Sequence, residues 1–273
     1  MSLIEQALRR AAAKHASGQS TRRAPTTDTM AVVSPTTAAA APNRVFRSCT
    51  LDTATLERNH VLPKLPDVAA QRAYKVLRTR VLQRMGAEKW QSVAVTGTAS
   101  GEGKTLTAVN LAIALAQDMN TSAFLVDMDL QRPRVAACLG MNADKGLSDY
   151  LTGQANIEDV IYSPGIDRLA VIPNTQALQQ SSELLSSPRM VNLLKTLVAE
   201  VPRRIIVVDT PPLTISDDVL AVAPHIDSFL MVVAQGQTAR STLENAKDTL
   251  ASMNLLGVVL NRSPERDDSP YYY

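Results

Sequence analysis

Three of the chain's eleven glycines, Gly97, Gly101 and Gly103, fall within the run TGTASGEGKT over residues 96–105. An apolar stretch precedes the run, and the helical pattern TLTAVNLAIALA opens at its end. Glycines let successive backbone N–H groups turn inward as an anion nest, and the positive end of the following helix adds to it. Lys104 can then reach the outer phosphates of a nucleotide, and the Thr105 hydroxyl can ligate Mg²⁺. In one place the spacing departs from G-x-x-x-x-G-K-[ST]: Thr98 stands where the first glycine would, and Gly97 falls one residue early. The expected nucleotide contacts run through Ala99, Ser100, Gly101, Glu102, Gly103, Lys104, Thr105 and Leu106.

A second apolar stretch, AFLVDMD, ends in two carboxylates, Asp127 and Asp129, which the two-residue period of a strand points the same way. Paired acids at the carboxyl end of a strand, beside a phosphate loop, suit Mg²⁺ binding and general-base work. RIIVVDTPP places Asp209 at the end of a third apolar strand, where it can hold the water shell of a metal. Pro211 and Pro212 then stop that strand.

Positioning these groups takes a sheet, and the chain alternates short apolar runs with longer helical ones. Strands are expected at 92–96, 123–127, 168–172, 204–209, 228–234 and 256–261, and helices at 68–85, 104–118, 188–200 and 239–252. That rhythm predicts an α/β fold with a mainly parallel sheet of P-loop type and helices on both faces, ligands lying at the carboxyl ends of strands. Ahead of it, residues 1–16 read as a short amphipathic helix, with Leu3, Ile4, Ala7, Leu8 and Ala11 at helical spacing beside Arg9, Arg10 and Lys14. Residues 17–67, rich in Ala, Thr and Pro over their first part, are expected to form a flexible linker. The folded domain is expected over 68–263 and a mobile tail over 264–273.

Charge and composition narrow the function classes. Residues 1–50 carry seven Lys or Arg against two Asp or Glu, while the remainder carries 21 against 24, so the body lacks the clustered basic face of a nucleic-acid binder. Two cysteines, Cys49 and Cys138, cannot form a disulfide framework. The longest apolar runs are far short of the roughly 20 residues that span a bilayer. A cytoplasmic protein is expected, held at the inner membrane only through a partner.

The motifs in order resemble the bacterial tyrosine kinases of polysaccharide export, in particular the autokinases of exopolysaccharide loci associated with exosortase, whose chains similarly open with an MSLIE-type helix. The resemblance covers about residues 70–273 and the first dozen: GEGKT at 101–105, LVDMDLQRP at 125–133, GLSDYLTG at 146–153, SELLSS at 182–187, VVDTPP at 207–212, LGVVLNR at 256–262, and Tyr271, Tyr272 and Tyr273. It implies ATP and Mg²⁺ as cofactors, with Lys104 and the amides of 101–105 on the outer phosphates and Thr105 with Asp127 at the metal. Asp129 becomes the candidate base for a tyrosine hydroxyl, Asp209 a ligand to the metal or its water, and Asn261 with Arg262 the adenine side. Tyr271, Tyr272 and Tyr273 become the autophosphorylation sites. A membrane polysaccharide co-polymerase is the implied partner, alongside a homo-oligomer.

Three departures from the family pattern stand out. Gln131 replaces its arginine, the helix that usually reads E-x-x-R-x-x-R here runs Arg72, Lys75, Arg78, and the tyrosine cluster is short. Two other readings share the motifs: a positioning ATPase of the MinD and ParA type, which resembles this chain in its sheet but carries a second lysine where Ala99 stands, and a nucleotide-bound scaffold with little catalysis.

Overall fold

The computed structural model describes residues 46–199, 203–214 and 217–263. The expected helix over 1–16, the linker up to residue 45, and the tail with Tyr271, Tyr272 and Tyr273 lie outside the described residues. Among the described residues one sheet contains β1 (Arg47–Ser48), β2 (Ser92–Gly97), β3 (Ser122–Asp127), β4 (Tyr162–Ser163), β5 (Leu169–Ile172), β6 (Arg204–Asp209), β7 (Ser228–Ala234) and β8 (Leu255–Asn261). Their order is β1-β4-β5-β3-β6-β2-β7-β8. Every neighbouring pair is parallel except β4 with β5.

The helices, in chain order, are α1 (Thr53–Arg58), α2 (Val68–Glu88), α3 (Lys104–Ala116), α4 (Val135–Leu139), α5 (Leu147–Leu151), α6 (Ser181–Leu185), α7 (Pro188–Ala199), α8 (Asp218–Val222), α9 (Arg240–Asn245) and α10 (Lys247–Ala251). Alternation along each central strand divides its side chains between two cores. On β6, Ile205 and Val207 enter one and Ile206 and Val208 the other; on β3, Ala123 and Leu125 oppose Phe124 and Val126. The first core is closed by Val81 and Met85 of α2 and by Leu111 and Leu115 of α3. Leu147 and Leu151 of α5 and Met190, Leu193 and Leu197 of α7 close the second. Helices therefore cover both faces, as a buried parallel sheet requires. Lying against both the sheet and α2, α3 is buried nearly all round, with only Thr105 and Leu106 outside its buried set.

Two expectations change. The linker predicted to reach residue 67 stops short, because Leu56, Val61, Leu62 and Leu65 are buried in the first core. Asn110 of α3 fixes that segment: its Oδ1 accepts from the Leu62 N–H at 2.8 Å and its Nδ2 donates to the His60 carbonyl at 3.1 Å. The four apolar residues follow neither a helical nor a strand period, so no pattern announces their burial. The helix expected over 239–252 divides into α9 and α10 at Ala246, which serves as cap to both. Ser241, Thr242 and Asn245 give the first piece little intrinsic helix preference.

Register brings the chemistry together. Asp127 pairs with Asp209 across β3 and β6, and Val95 of β2 lies beside Asp209 on the other side. The carboxyl ends of three central strands thus meet at one place, the usual ligand position in an open α/β sheet.

Candidate active site

Beyond Gly97 the chain turns into α3 through two left-handed glycines, Gly101 at φ +83° and Gly103 at φ +93°. Glu102 between them is only 2% exposed. Its carboxylate accepts from the N–H groups of Thr98 and Ala99 at 2.8 and 3.0 Å, and from the hydroxyls of Thr98 and Thr238 at 2.8 and 2.7 Å. A Cβ on Gly97 would strike that carboxylate. The displaced glycine therefore has a physical reason: Thr98 supplies two donors to Glu102, and Gly97 clears the space Glu102 folds into.

From the end of β8, Asn261 Nδ2 donates to the Glu102 carbonyl at 2.9 Å and Arg262 Nη2 to the Gly101 carbonyl at 2.8 Å. Both side chains brace the loop. Lys104 heads α3 and is buried, its Nζ donating to the Ala99 carbonyl at 2.7 Å. Burial lowers its pKa, while the carboxylates of Glu102, Asp209 and Asp129 act in the opposite direction.

The acids divide in role. Asp127 is fully buried; its Oδ2 accepts from the N–H groups of Arg134 and Val135 at 3.1 and 2.9 Å, and its Oδ1 from that of Asp129 at 3.3 Å. It holds the turn between β3 and α4 in shape. Asp209, its register partner, is equally buried, yet neither carboxylate oxygen finds a hydrogen-bond partner among the described residues. Burial raises the pKa of both, and the charge of Asp209 adds to the rise at Asp127. At Asp209 the nearby Thr105 hydroxyl, which does not reach hydrogen-bond geometry, draws it partly back. Because β3 ends at Asp127, Asp129 sits in the following turn and not on the strand face; it is partly buried, with a pKa raised chiefly by desolvation.

A cavity of about 760 Å³ opens over these ends. Ser100, Gly101, Gly103, Lys104, Thr105, Leu106, Asp129 and Arg262 line it together, while Ala99, Glu102, Asn261, Asp127 and Asp209 lie outside its lining. The remaining lining includes Arg58, Asn59, Arg132, Arg134 and Cys138. Arg58 and Asn59 escape sequence reasoning, because they belong to the segment that reads as linker. They reach the cavity because α1 docks on α4: Asn59 Nδ2 donates to the Cys138 carbonyl at 3.0 Å, and the Asp52 N–H to the Gly140 carbonyl at 3.1 Å. Asp52 as the α1 N-cap, accepting from the Thr55 N–H at 3.1 Å, is the local signal that could have exposed this helix.

A family model described as an AAA domain matches residues 90–255. The chain belongs to the AAA domain family. Among its relatives, the tyrosine-protein kinase CpsD of Streptococcus agalactiae is 29% identical over 198 residues, spanning 70% of this chain and 82% of that protein. The kinase domain of the Escherichia coli tyrosine kinase ETK matches in structure with a TM-score of 0.70 at 25% identity, covering 82% of this chain and 93% of that one. The cell division ATPase MinD of Pyrococcus furiosus matches with a TM-score of 0.54 at 25% identity, over 65% of this chain and 74% of that one. Within the family, this AAA domain groups with the bacterial tyrosine kinases. The matched region holds the phosphate loop and all three acids, whereas Arg58, Asn59, Asn261 and Arg262 lie beyond its ends.

The residues of this AAA domain fit a nucleotide with Mg²⁺. The left-handed glycines leave the loop's N–H groups free of side chains, and the orphaned carboxylate of Asp209 is the kind of buried group that a metal or its water satisfies. Among the described residues no cluster of three or more His, Cys, Asp or Glu could cage a metal unaided. Gln131 donates from Nε2 to the Ser181 hydroxyl at 3.0 Å, which in turn donates to the buried Asp218 at 2.7 Å.

Proposed function

We propose that this AAA domain is an ATP-dependent protein-tyrosine kinase whose acceptors include its own Tyr271, Tyr272 and Tyr273. One observation carries the reading: Asp129, a carboxylate with a raised pKa, shares a single cavity with Lys104 and Thr105 of the phosphate loop. When bound, MgATP supplies the phosphoryl group to be transferred. Lys104 and the amides of Gly101 to Thr105 offset the phosphate charge, and the Thr105 hydroxyl and Asp209 hold the metal and its water, with Asp127 keeping the turn beside them in register. Asp129 takes the phenolic proton at a carboxylate oxygen, for which a raised pKa makes it a better base than a free aspartate. Asn261 and Arg262, bracing the loop from β8, flank the base of the nucleotide. Phosphoryl transfer needs chiefly positioning and charge neutralisation, and these groups supply both.

The likeness to ETK exceeds that to MinD in TM-score and coverage, which favours the kinase over a positioning ATPase. No helix among the described residues is long and apolar enough to cross a membrane. We assign membrane recruitment to a polysaccharide co-polymerase partner contacted through residues 2–15 or through the core domain, with the exposed Lys75 of α2 at a contact between copies. Incubating the purified protein with MgATP and mapping phosphate by mass spectrometry tests the kinase reading. Phosphate on Tyr271, Tyr272 or Tyr273 is expected; bound ATP with no modified tyrosine would transfer the argument to the positioning or scaffold reading.

A further inference from the structure

We infer that Arg58, Arg132 and Arg134 form an acceptor subsite that recognises acidic residues ahead of the target tyrosine, and that its occupant is residues 264–270 of this chain leading into Tyr271. The inference rests on the kinase reading above and adds what selects the acceptor. All three arginines line the cavity that holds Asp129, so a chain passing them delivers a phenol to the proposed base. They are also the lining cations left over for recognition. Lys104 and Arg262 are committed to carbonyls of the phosphate loop, whereas no ion pair within 4 Å engages Arg58, Arg132 or Arg134 among the described residues. Arg58 does donate to the neutral Thr55 hydroxyl at 2.9 Å, which steadies the side chain without cancelling its charge.

Charge complementarity names the occupant. The sequence SPERDDSPYYY over 263–273 places Glu265, Asp267 and Asp268 within six residues of Tyr271, against a single Arg266. Three carboxylates meeting three guanidinium groups can pair two-pronged, a geometry that lysines could not match. Arg58 lies outside the matched AAA domain region, so the segment that packs ahead of it adds one of the three cations, while Arg132 and Arg134 lie within the region.

The test uses the full chain with Tyr271, Tyr272 and Tyr273 replaced by Phe and with Glu265→Gln, Asp267→Asn and Asp268→Asn in its own tail, so that the subsite is open and an added peptide is the acceptor. Two peptides of residues 263–273 are offered with MgATP: the native sequence and its isostere carrying Glu265→Gln, Asp267→Asn and Asp268→Asn. The native peptide is expected to show a kcat/KM about tenfold higher, ~1.4 kcal/mol, expressed mainly in KM. Arg58→Gln, and separately Arg132→Gln, is expected to cut that ratio about threefold, the scale of one exposed ion pair. Equal use of the two peptides, or a ratio unmoved by either variant, overturns the subsite. If neither peptide is phosphorylated, it is the kinase reading that fails. Fluorescence anisotropy of the labelled peptides then still decides: an Arg58-dependent preference for the acidic peptide upholds the subsite, and equal binding of both removes it.

Discussion

Along the phosphate loop, Glu102, Lys104 and Arg262 are each bonded to the loop's own backbone before any ligand arrives, whereas the arginines of α1 and of the turn after β3 line the same cavity exposed and without ion pairs among the described residues. The first arrangement is preorganised, so its dipoles need little reorientation when charge develops on a phosphate. The second must give up side-chain freedom on binding, up to about 2 kcal/mol for each long side chain, but can fit more than one acceptor. The contrast teaches that this chain fixes its chemistry rigidly and leaves its recognition adjustable. The two parts of the cavity can be disturbed separately.

The largest effect is expected at Lys104. Lys104→Met keeps a side chain of similar length in a buried position and removes one charge and one hydrogen bond to Ala99. Loss of a preorganised electrostatic contact predicts a fall of about 10²–10³ in the rate of phosphoryl transfer. Stability should change by about 1 kcal/mol or less, the value of a single net hydrogen bond. Transfer rates by radiolabel and unfolding by urea check both halves. A variant that transfers normally would show that Lys104 does not hold phosphate, and one that unfolds would show that it is part of the scaffold.

Next in size is Asn110→Ala, which leaves the preorganised loop intact and unfastens the segment carrying Arg58. It orphans the Leu62 N–H and the His60 carbonyl, at a cost of about 2–3 kcal/mol. Limited proteolysis should cut within residues 46–67 first, while nucleotide affinity holds. Protection equal to that of the parent chain would mean that burial of Leu56, Val61, Leu62 and Leu65 suffices by itself.

How far these parts were legible in the sequence follows the same division. Arg204–Asp209 and Ser228–Ala234 stand as strands at the bounds expected, because continuous apolar runs bounded by charged or turn residues admit little else. The phosphate loop is legible because its chemistry is local, all of it within residues 96–106. Glu102 is not legible as a buried strut, since a loop glutamate normally points to water and its partner Thr238 lies more than a hundred residues away. Arg58 is hidden for the same reason: α1 reaches the cavity through Asn110, Cys138 and Gly140, none near it in sequence. Five-residue helices such as α4, α5 and α8 are too short to show a period.

The smallest effect is expected at Gly140, where α4 ends against α1. Its φ of +60° suits glycine, and an added Cβ would lie 2.9 Å from Thr55 Cβ and 3.0 Å from Asp52 Cβ, both on the element that carries Arg58. Gly140→Ala is expected to cost about 1–2 kcal/mol, part from backbone strain and part from pushing α1 away. Gly165→Ala separates the two, because Gly165 has a similar φ of +75° with nothing within 4 Å of its added Cβ. If the contact matters, the Gly140 variant loses more stability in urea than the Gly165 variant, and it alone weakens the preference for the acidic peptide. Equal losses would show that strain accounts for the whole cost and that the close approach of α4 to α1 does not set the position of Arg58.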